Sequence, residues 1–337
     1  MRAFVITGPG AAQVRDVERP RPRTGEVVVD VERAGVCGTD VEFFSGHMSY
    51  LHTGQAKYPI RIGHEWAGVV TEVGECVDRS WVGRRVTADT MLGCGHCERC
   101  TNGRQHLCAD RYEIGIRNGW PGALAEQVAV PATALQALPD NLDPTTSAMV
   151  EPGGNALRAV QGANLTAAKR LLVIGPGTIG VLVAQIARAQ GTDVHLLGRT
   201  TDSIEFAQSL GFPQVWTEES LPALRFDAIV DASNAAAMPA RAVDLVEPGG
   251  RVVCIGLSEQ PSLVDSRTIA LKDITVVGVL SASGGLAGIA EMYAAGAVDP
   301  SPLVAATVGL DDVASVLAGN RLPEWGNAPK IHVDPRL

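Results

Sequence analysis

The chain has 337 residues, enough for two ordinary domains or for one with a large insertion. With 46% hydrophobic and 19% charged residues the composition is globular, and 37 glycines, 20 prolines and only 4% aromatics argue for many tight turns and against a helical bundle. Lys plus Arg is 28 against 37 Asp plus Glu, a net charge of −9 with no basic block, which speaks against nucleic acid or an anionic membrane as a partner.

The opening MRAFVITGPG has one early Arg and no apolar run of signal-peptide length. The longest charge-free apolar stretch, Leu171 to Ala187, is interrupted by Gly175, Pro176, Gly177 and Gly180. It therefore reads as strand, turn and helix, not as a membrane span. A cytoplasmic location is expected. Residues 1–145 look β-rich: Glu26 to Ala34 alternates like a strand, and short apolar runs follow at Trp66–Val73 and Arg84–Ala88, separated by glycines. Short strands with closely spaced turns suggest a barrel-like unit.

Near residue 145 the pattern changes. RLLVIG (170–175) reads as a buried strand, and VHLLG (194–198), AIVDAS (228–233), VVCIG (252–256) and ITVVGV (274–279) as further apolar strands. Helical stretches lie between most of them, at Ile179–Gln190, Ser203–Leu210 and Ala235–Leu245, with Gly249–Gly250 as a turn. Alternation of this kind predicts a parallel, doubly wound sheet over 146–280. Residues 281–337 hold a Gly/Ala-rich helical piece and a short strand, KIHV (330–333). The pattern leaves open whether they extend the second unit or cross back to the first.

Seven cysteines occur, and Cys94, Cys97, Cys100 and Cys108 form C-x2-C-x2-C-x7-C within residues 94–108. Two-residue gaps let successive sulfurs converge, and four thiolates fill a tetrahedral zinc shell, which makes the expected site structural. An iron–sulfur cluster also uses four cysteines, but with other spacings, and disulfides suit neither the odd count nor the crowding. A second set is more dispersed: Cys37 in AGVCGTD, His64 and Glu65 in IGHEWAG, and Glu151 in MVEPGGNA. All are zinc-ligand types, though each alone is as readily a core thiol, a satisfied imidazole or a helix-start carboxylate.

Gly175-Pro176-Gly177-Thr178-Ile179-Gly180 fits G-x-G-x-x-G directly after one expected strand and at the start of a helix. That context suits a dinucleotide pyrophosphate at a helix N-terminus. The next strand ends in Gly198, followed by Arg199, where an acidic residue would bind the adenosine 2′-hydroxyl. Loss of the carboxylate and gain of a cation favour NADP over NAD, with Asp202 as a countervailing charge.

With these motifs in order, the chain resembles the zinc-containing medium-chain dehydrogenase/reductase family over nearly its whole length, nearest to the polyol and threonine dehydrogenase branches. The carriers are AGVCGTD (34–40), GHEWAGVV (63–70), CGHCERCTNGRQHLC (94–108), EPGGNA (151–156) and GPGTIG (175–180). The resemblance implies an α/β fold: a GroES-like catalytic domain (1–145), a Rossmann domain (146–280) and a C-terminal segment (281–337) returning to the first. It implies two zinc ions per subunit, with Cys37, His64 and Glu151 at the catalytic one and Glu65 binding directly or through water. It implies Thr39 as the hydroxyl that relays the alcohol proton, and a homo-dimer or homo-tetramer.

The expected reaction is reversible oxidation of a secondary alcohol to a ketone, the substrate being a small polyol, cyclitol or amino-sugar-like molecule or, alternatively, a simple aliphatic alcohol. Two rivals keep the fold: a non-catalytic nucleotide sensor, which should lack Cys37, His64 or Glu151, and a zinc-free quinone-type reductase, which should lack the cysteine lobe. Two departures stand out. Glu42 occupies the place of a relay or substrate-contact His, and Ser45–Tyr58 matches no subgroup.

Overall fold

The computed structural model describes residues 1–337. A seven-stranded sheet runs in the order Val304–Val308, Lys330–Val333, Glu26–Gly35, Glu65–Val73, Arg85–Ala88, Leu135–Ala137, with Gln127–Pro131 also paired to Glu26–Gly35. Glu26–Gly35 is central, and its Val27, Val28, Val29 and Val31 are all buried. The β-branched run thus fills a pleated interior rather than an edge. Ile6, Phe43, Ile62, Trp66 and Leu124 complete this first core.

The second sheet has six strands, all parallel: Val215–Trp216, Asp193–Leu197, Arg170–Ile174, Phe226–Asp231, Val246–Cys254, Thr275–Gly278. Helices Thr178–Ala189 and Thr201–Ser209 connect strands on one side of the chain reversal, and Met238–Leu245 on the other. Strand order reverses between Arg170–Ile174 and Phe226–Asp231, and crevices for ligands open at the carboxyl ends of strands at such a point. The helix Val150–Ala163 lies against this sheet and against helices Thr178–Ala189 and Leu286–Ala294.

The α/β class and both sheet types match the sequence reading. Two details differ. Gly249 and Gly250 fall inside the strand span Val246–Cys254, where pairing with Phe226–Asp231 shifts register, so the expected turn is absorbed as an irregularity. Val304–Val308 is a strand that periodicity did not disclose: three of its five residues are half-buried and none alternates cleanly. It exists because Lys330–Val333 pairs with it in parallel while pairing antiparallel with Glu26–Gly35.

The returning strand buries a histidine. His332 is fully enclosed and neither ring nitrogen has a hydrogen-bond partner. Burial, and then the Lys330 charge, push its pKa from 6.5 down to about 3. Below pH 6.5 the unfolded chain takes up a proton that the folded chain refuses, so this residue removes stability as pH falls from about 6.5 towards 3. His332→Leu should flatten the loss of stability measured by denaturant titration across that window. Equal slopes in both proteins would show that His332 is not held neutral.

Candidate active site

Cys37 follows the central strand and caps the helix Gly38–Ser45. Asp40, three residues on, accepts the Cys37 N–H at 2.9 Å, which fixes the entry to the helix. Glu65 starts the neighbouring strand and lies opposite Gly35, so antiparallel register alone carries His64 and Glu65 to the Cys37 end of the sheet. One ligand atom from each of Cys37, His64 and Glu65 falls within 4.8 Å of the others. His64 Nδ1 is buried without a hydrogen-bond partner and faces Asp40 Oδ1 at 3.8 Å, while the Thr90 hydroxyl donates to the His64 carbonyl at 3.4 Å.

Glu151 stands in the first turn of Val150–Ala163, is 6% exposed, and accepts a hydrogen bond from Asn155 Nδ2 at 2.9 Å. It lies outside the tight threesome, yet its charge acts on His64. Thr39 Oγ1 is 4.0 Å from Cys37 Sγ.

The electrostatics are lopsided. Burial alone would depress the His64 pKa, but Cys37, Asp40 and Glu151 raise it well above its ordinary value. Burial pushes Asp40 up and Glu151 up to about 7. Glu65 goes the other way: burial opposes its charge, but Lys330 overcomes that and holds its pKa below the usual carboxylate value. Lys330 Nζ donates to Glu65 Oε2 at 2.6 Å and to the Val36 carbonyl at 3.1 Å. A donor set of thiol, imidazole and carboxylates within 4.8 Å, carrying excess negative charge, fits a zinc ion.

The cysteine lobe forms a second cluster, with Cys94, Cys97, Cys100 and Cys108 within the same limit. Cys94 and Cys100 sulfurs are 3.9 Å apart, and those of Cys97 and Cys108 3.8 Å. Sulfurs held at about 2.3 Å from one tetrahedral ion are separated by roughly 3.8 Å, whereas a disulfide needs about 2.05 Å. Backbone N–H groups of His96 and Cys97 hold the Cys94 thiol down to about 6.

A cavity of about 1010 Å³ opens at the strand-order reversal. Gly175, Gly177, Gly198 and Arg199 line it, joined by Thr200, Asp202 and Ser203. Thr178, Ile179 and Gly180 do not. Thr178 and Ile179 open the helix, and Gly180 is needed for the turn, since a Cβ there would collide with the Gly175 carbonyl. The far wall comes from Arg321 to Pro329, so the cavity ends one residue before Lys330 and its contact with Glu65.

Residues 23–140 match the alcohol dehydrogenase GroES-like domain and residues 178–296 the zinc-binding dehydrogenase domain. Sorbitol dehydrogenase of Halalkalibacterium halodurans is 31% identical over 294 residues, covering 82% of this chain and 83% of its own. The chain is a zinc-type medium-chain dehydrogenase/reductase. Among solved relatives of this medium-chain dehydrogenase, the RspB alcohol dehydrogenase of Escherichia coli CFT073, complexed with NADH, superposes with a TM-score of 0.90 at 26% identity over 99% of both chains. A zinc-binding dehydrogenase of Sinorhizobium meliloti 1021 bound to NADP gives 0.89 at 26% identity, again over 99% of both. The medium-chain dehydrogenase is thus an oxidoreductase of the zinc-dependent alcohol dehydrogenase type, and none of its helices is long and apolar enough to cross a membrane.

Sequence reasoning missed Asp40 and Lys330. Asp40 was legible as the third residue of a helix whose cap is Cys37. Lys330 was not, because 265 residues separate it from Glu65. Removing one partner from such a pair leaves a buried, uncompensated charge. Lys330→Met should therefore destabilise this dehydrogenase by about 3–5 kcal/mol in denaturant titration. Lys330→Met/Glu65→Gln should cost less than the sum of the single changes, and strict additivity would show that the two charges do not share the energy.

Proposed function

We propose that this dehydrogenase reversibly oxidises a secondary alcohol of polyol, cyclitol or amino-sugar type to the ketone, with NADP preferred over NAD and two zinc ions per subunit. The observation that carries the reading is the convergence of Cys37, His64 and Glu65, joined through Lys330 to the segment that walls the large cavity, with the Glu151 charge bearing on the same imidazole. Cys37, His64 and Glu151 would hold the catalytic zinc, with Glu65, already engaged by Lys330, reaching it directly or through water. The cysteine lobe would hold the structural zinc.

Zinc and nicotinamide would supply, respectively, a Lewis acid that lowers the pKa of a hydroxyl and a hydride acceptor. The chain supplies position and proton handling. Thr39, in the first turn of its helix and 4.0 Å from Cys37 Sγ, accepts the substrate proton and passes it towards solvent. Asp40 orients His64 from behind. The half-buried Glu42, whose pKa is raised by burial and by the nearby Glu259 carboxylate, supports a substrate rich in hydroxyl or ammonium donors. The unusual stretch 45–58 is pinned by Tyr50, whose hydroxyl donates to Glu113 Oε1 at 3.2 Å while Arg111 Nε donates to the same oxygen at 2.8 Å.

The NADP preference is supported at the end of strand Asp193–Leu197. A Cβ on Gly198 would press within 3.0 to 3.2 Å of the Ile204, Pro176 and Ser203 side chains, which would have to give way to admit an acidic residue. Arg199 beside it is exposed at the cavity wall. The proposed domains are 1–145, 146–280 and 281–337. A homo-dimer or homo-tetramer accords with the open edge strand Thr275–Gly278, where Val276 and the neighbouring Leu271 and Leu280 are exposed. Seven cysteines without a disulfide accord with the cytoplasm.

Cys37→Ala should lower zinc from two ions per chain to one, by elemental analysis, and reduce turnover of the best polyol at least about a thousandfold. Retained turnover would remove Cys37 from the catalytic set. Arg199→Gln should raise the KM for NADP about tenfold or more and leave that for NAD nearly unchanged, as a lost charge-assisted contact predicts. Wild-type turnover with NAD equal to or better than with NADP would overturn the preference. A screen of polyols, cyclitols and simple alcohols tests the substrate class, and a clear advantage for aliphatic alcohols would decide against it.

A further inference from the structure

Two adjoining cavities, of about 530 and 450 Å³, share Arg61, Gly119, Trp120 and Pro121 as a common wall. Neither has a lining residue in common with the cofactor cavity or the two metal-ligand clusters. Their size is that of a small-molecule site. On a chain of net charge −9, the larger cavity presents Arg19, Arg21, Arg23 and Arg61 against Glu18 and Glu26. The smaller one adds Lys57.

The backbone that carries three of these cations is stiff. Arg19, Arg21 and Arg23 alternate with Pro20 and Pro22, which are half-buried while the arginines are exposed. Proline fixes its own φ and biases the preceding residue to extended backbone, so the three guanidinium groups hang from a stiff strap. The Glu26 carboxylate is engaged by the Arg23 backbone N–H at 3.1 Å. Arg61 is half-buried, and burial lowers its pKa. Its guanidinium meets no acid and makes no hydrogen bond within the protein. An anion is the partner that would offset its desolvation. Beside it, Trp120 Nε1 donates to the Ala129 carbonyl at 3.0 Å, and Tyr112 packs edge-on with ring centroids 5.7 Å apart. The indole is thereby fixed as a flat wall.

We propose that this groove is a second ligand site, separate from the catalytic cleft, for a sugar-sized metabolite bearing a phosphate or carboxylate. The anionic group sits on Arg61 and the Arg-Pro strap, and the ring lies against Trp120. Guanidinium forks match both anions, and an aromatic wall suits a sugar ring.

The test is calorimetric titration of the full-length, dinucleotide-saturated protein with glucose 6-phosphate, gluconate and uncharged glucose. At least one anion should bind with a Kd below about 10 mM and glucose should not, and which anion binds distinguishes phosphate from carboxylate. Arg61→Gln should weaken that binding about tenfold or more. Arg21→Gln, an exposed change that leaves the fold alone, should weaken it measurably, with unchanged thermal midpoints confirming folded protein. The inference is overturned if neither anion binds in this range. It is equally overturned if both variants bind like the wild type, which would place the anion in the cofactor cavity or elsewhere.

Discussion

Negative charge is buried at the meeting point of the two sheets faster than the protein supplies cations to balance it. Asp40, Glu65 and Glu151 are all at least nine-tenths enclosed, and Cys37 lies among them. Lys330 answers one of the four, Glu65. Taking a carboxylate out of water costs several kcal/mol unless it is paired or protonated. Without a further cation the cluster can only draw in protons, which is what the raised His64, Asp40 and Glu151 pKa values express. A divalent ion does the same work without protonating its ligands. Metal occupancy, ligand protonation and local stability are therefore one coupled equilibrium.

The topology exists to make that cluster possible. Cys37 comes from the end of one strand, His64 and Glu65 from the start of its neighbour, Glu151 from a helix on the other sheet, and Lys330 from a strand that arrives last. Asp89 ties the surroundings together. It accepts from Gln105 of the cysteine lobe at 2.8 Å and from Ser283 at 2.9 Å, and it adjoins Thr90, whose hydroxyl holds the His64 carbonyl. The cysteine lobe is thus braced against the segment that carries His64 and against the turn that follows the parallel sheet.

What could be read from the sequence follows from the range of the interactions. The cysteine lobe closes within fifteen residues, and the glycine loop announces itself because strand, turn and helix are contiguous. Arg170–Ile174, Asp193–Leu197 and Phe226–Asp231 were legible because they are buried on both faces and so read as nearly unbroken apolar runs, whereas the largely exposed edge strand Thr275–Gly278 was legible from its β-branched residues. Val304–Val308 was not legible, since its pairing is dictated by a strand more than twenty residues later rather than by its own pattern. Lys330 likewise looks in sequence like a surface lysine at a strand start. Only the fold reveals that it is 4% exposed and seated on Glu65. Thr178, Ile179 and Gly180 belong to the same motif but open the helix and close the turn, while Gly175, Pro176 and Gly177 line the cavity.

The cofactor cavity shows why local pairing matters more than summed charge. Its wall carries Arg199 and Arg321 against Asp202, Glu218 and Glu219, a balance that by itself would repel a phosphate. Glu218, however, is already engaged by Arg241, and Arg321 is spent on the carbonyls of Gly326 and Ala328. Arg199 is the cation left without a partner, and it sits beside the first turn of a helix capped by Thr200. Free N–H groups in that turn favour an anion, and Asp202 opposes it from the same turn. Discrimination between the two dinucleotides then reduces to whether one guanidinium and a helix end outweigh the carboxylates of Asp202 and Glu219.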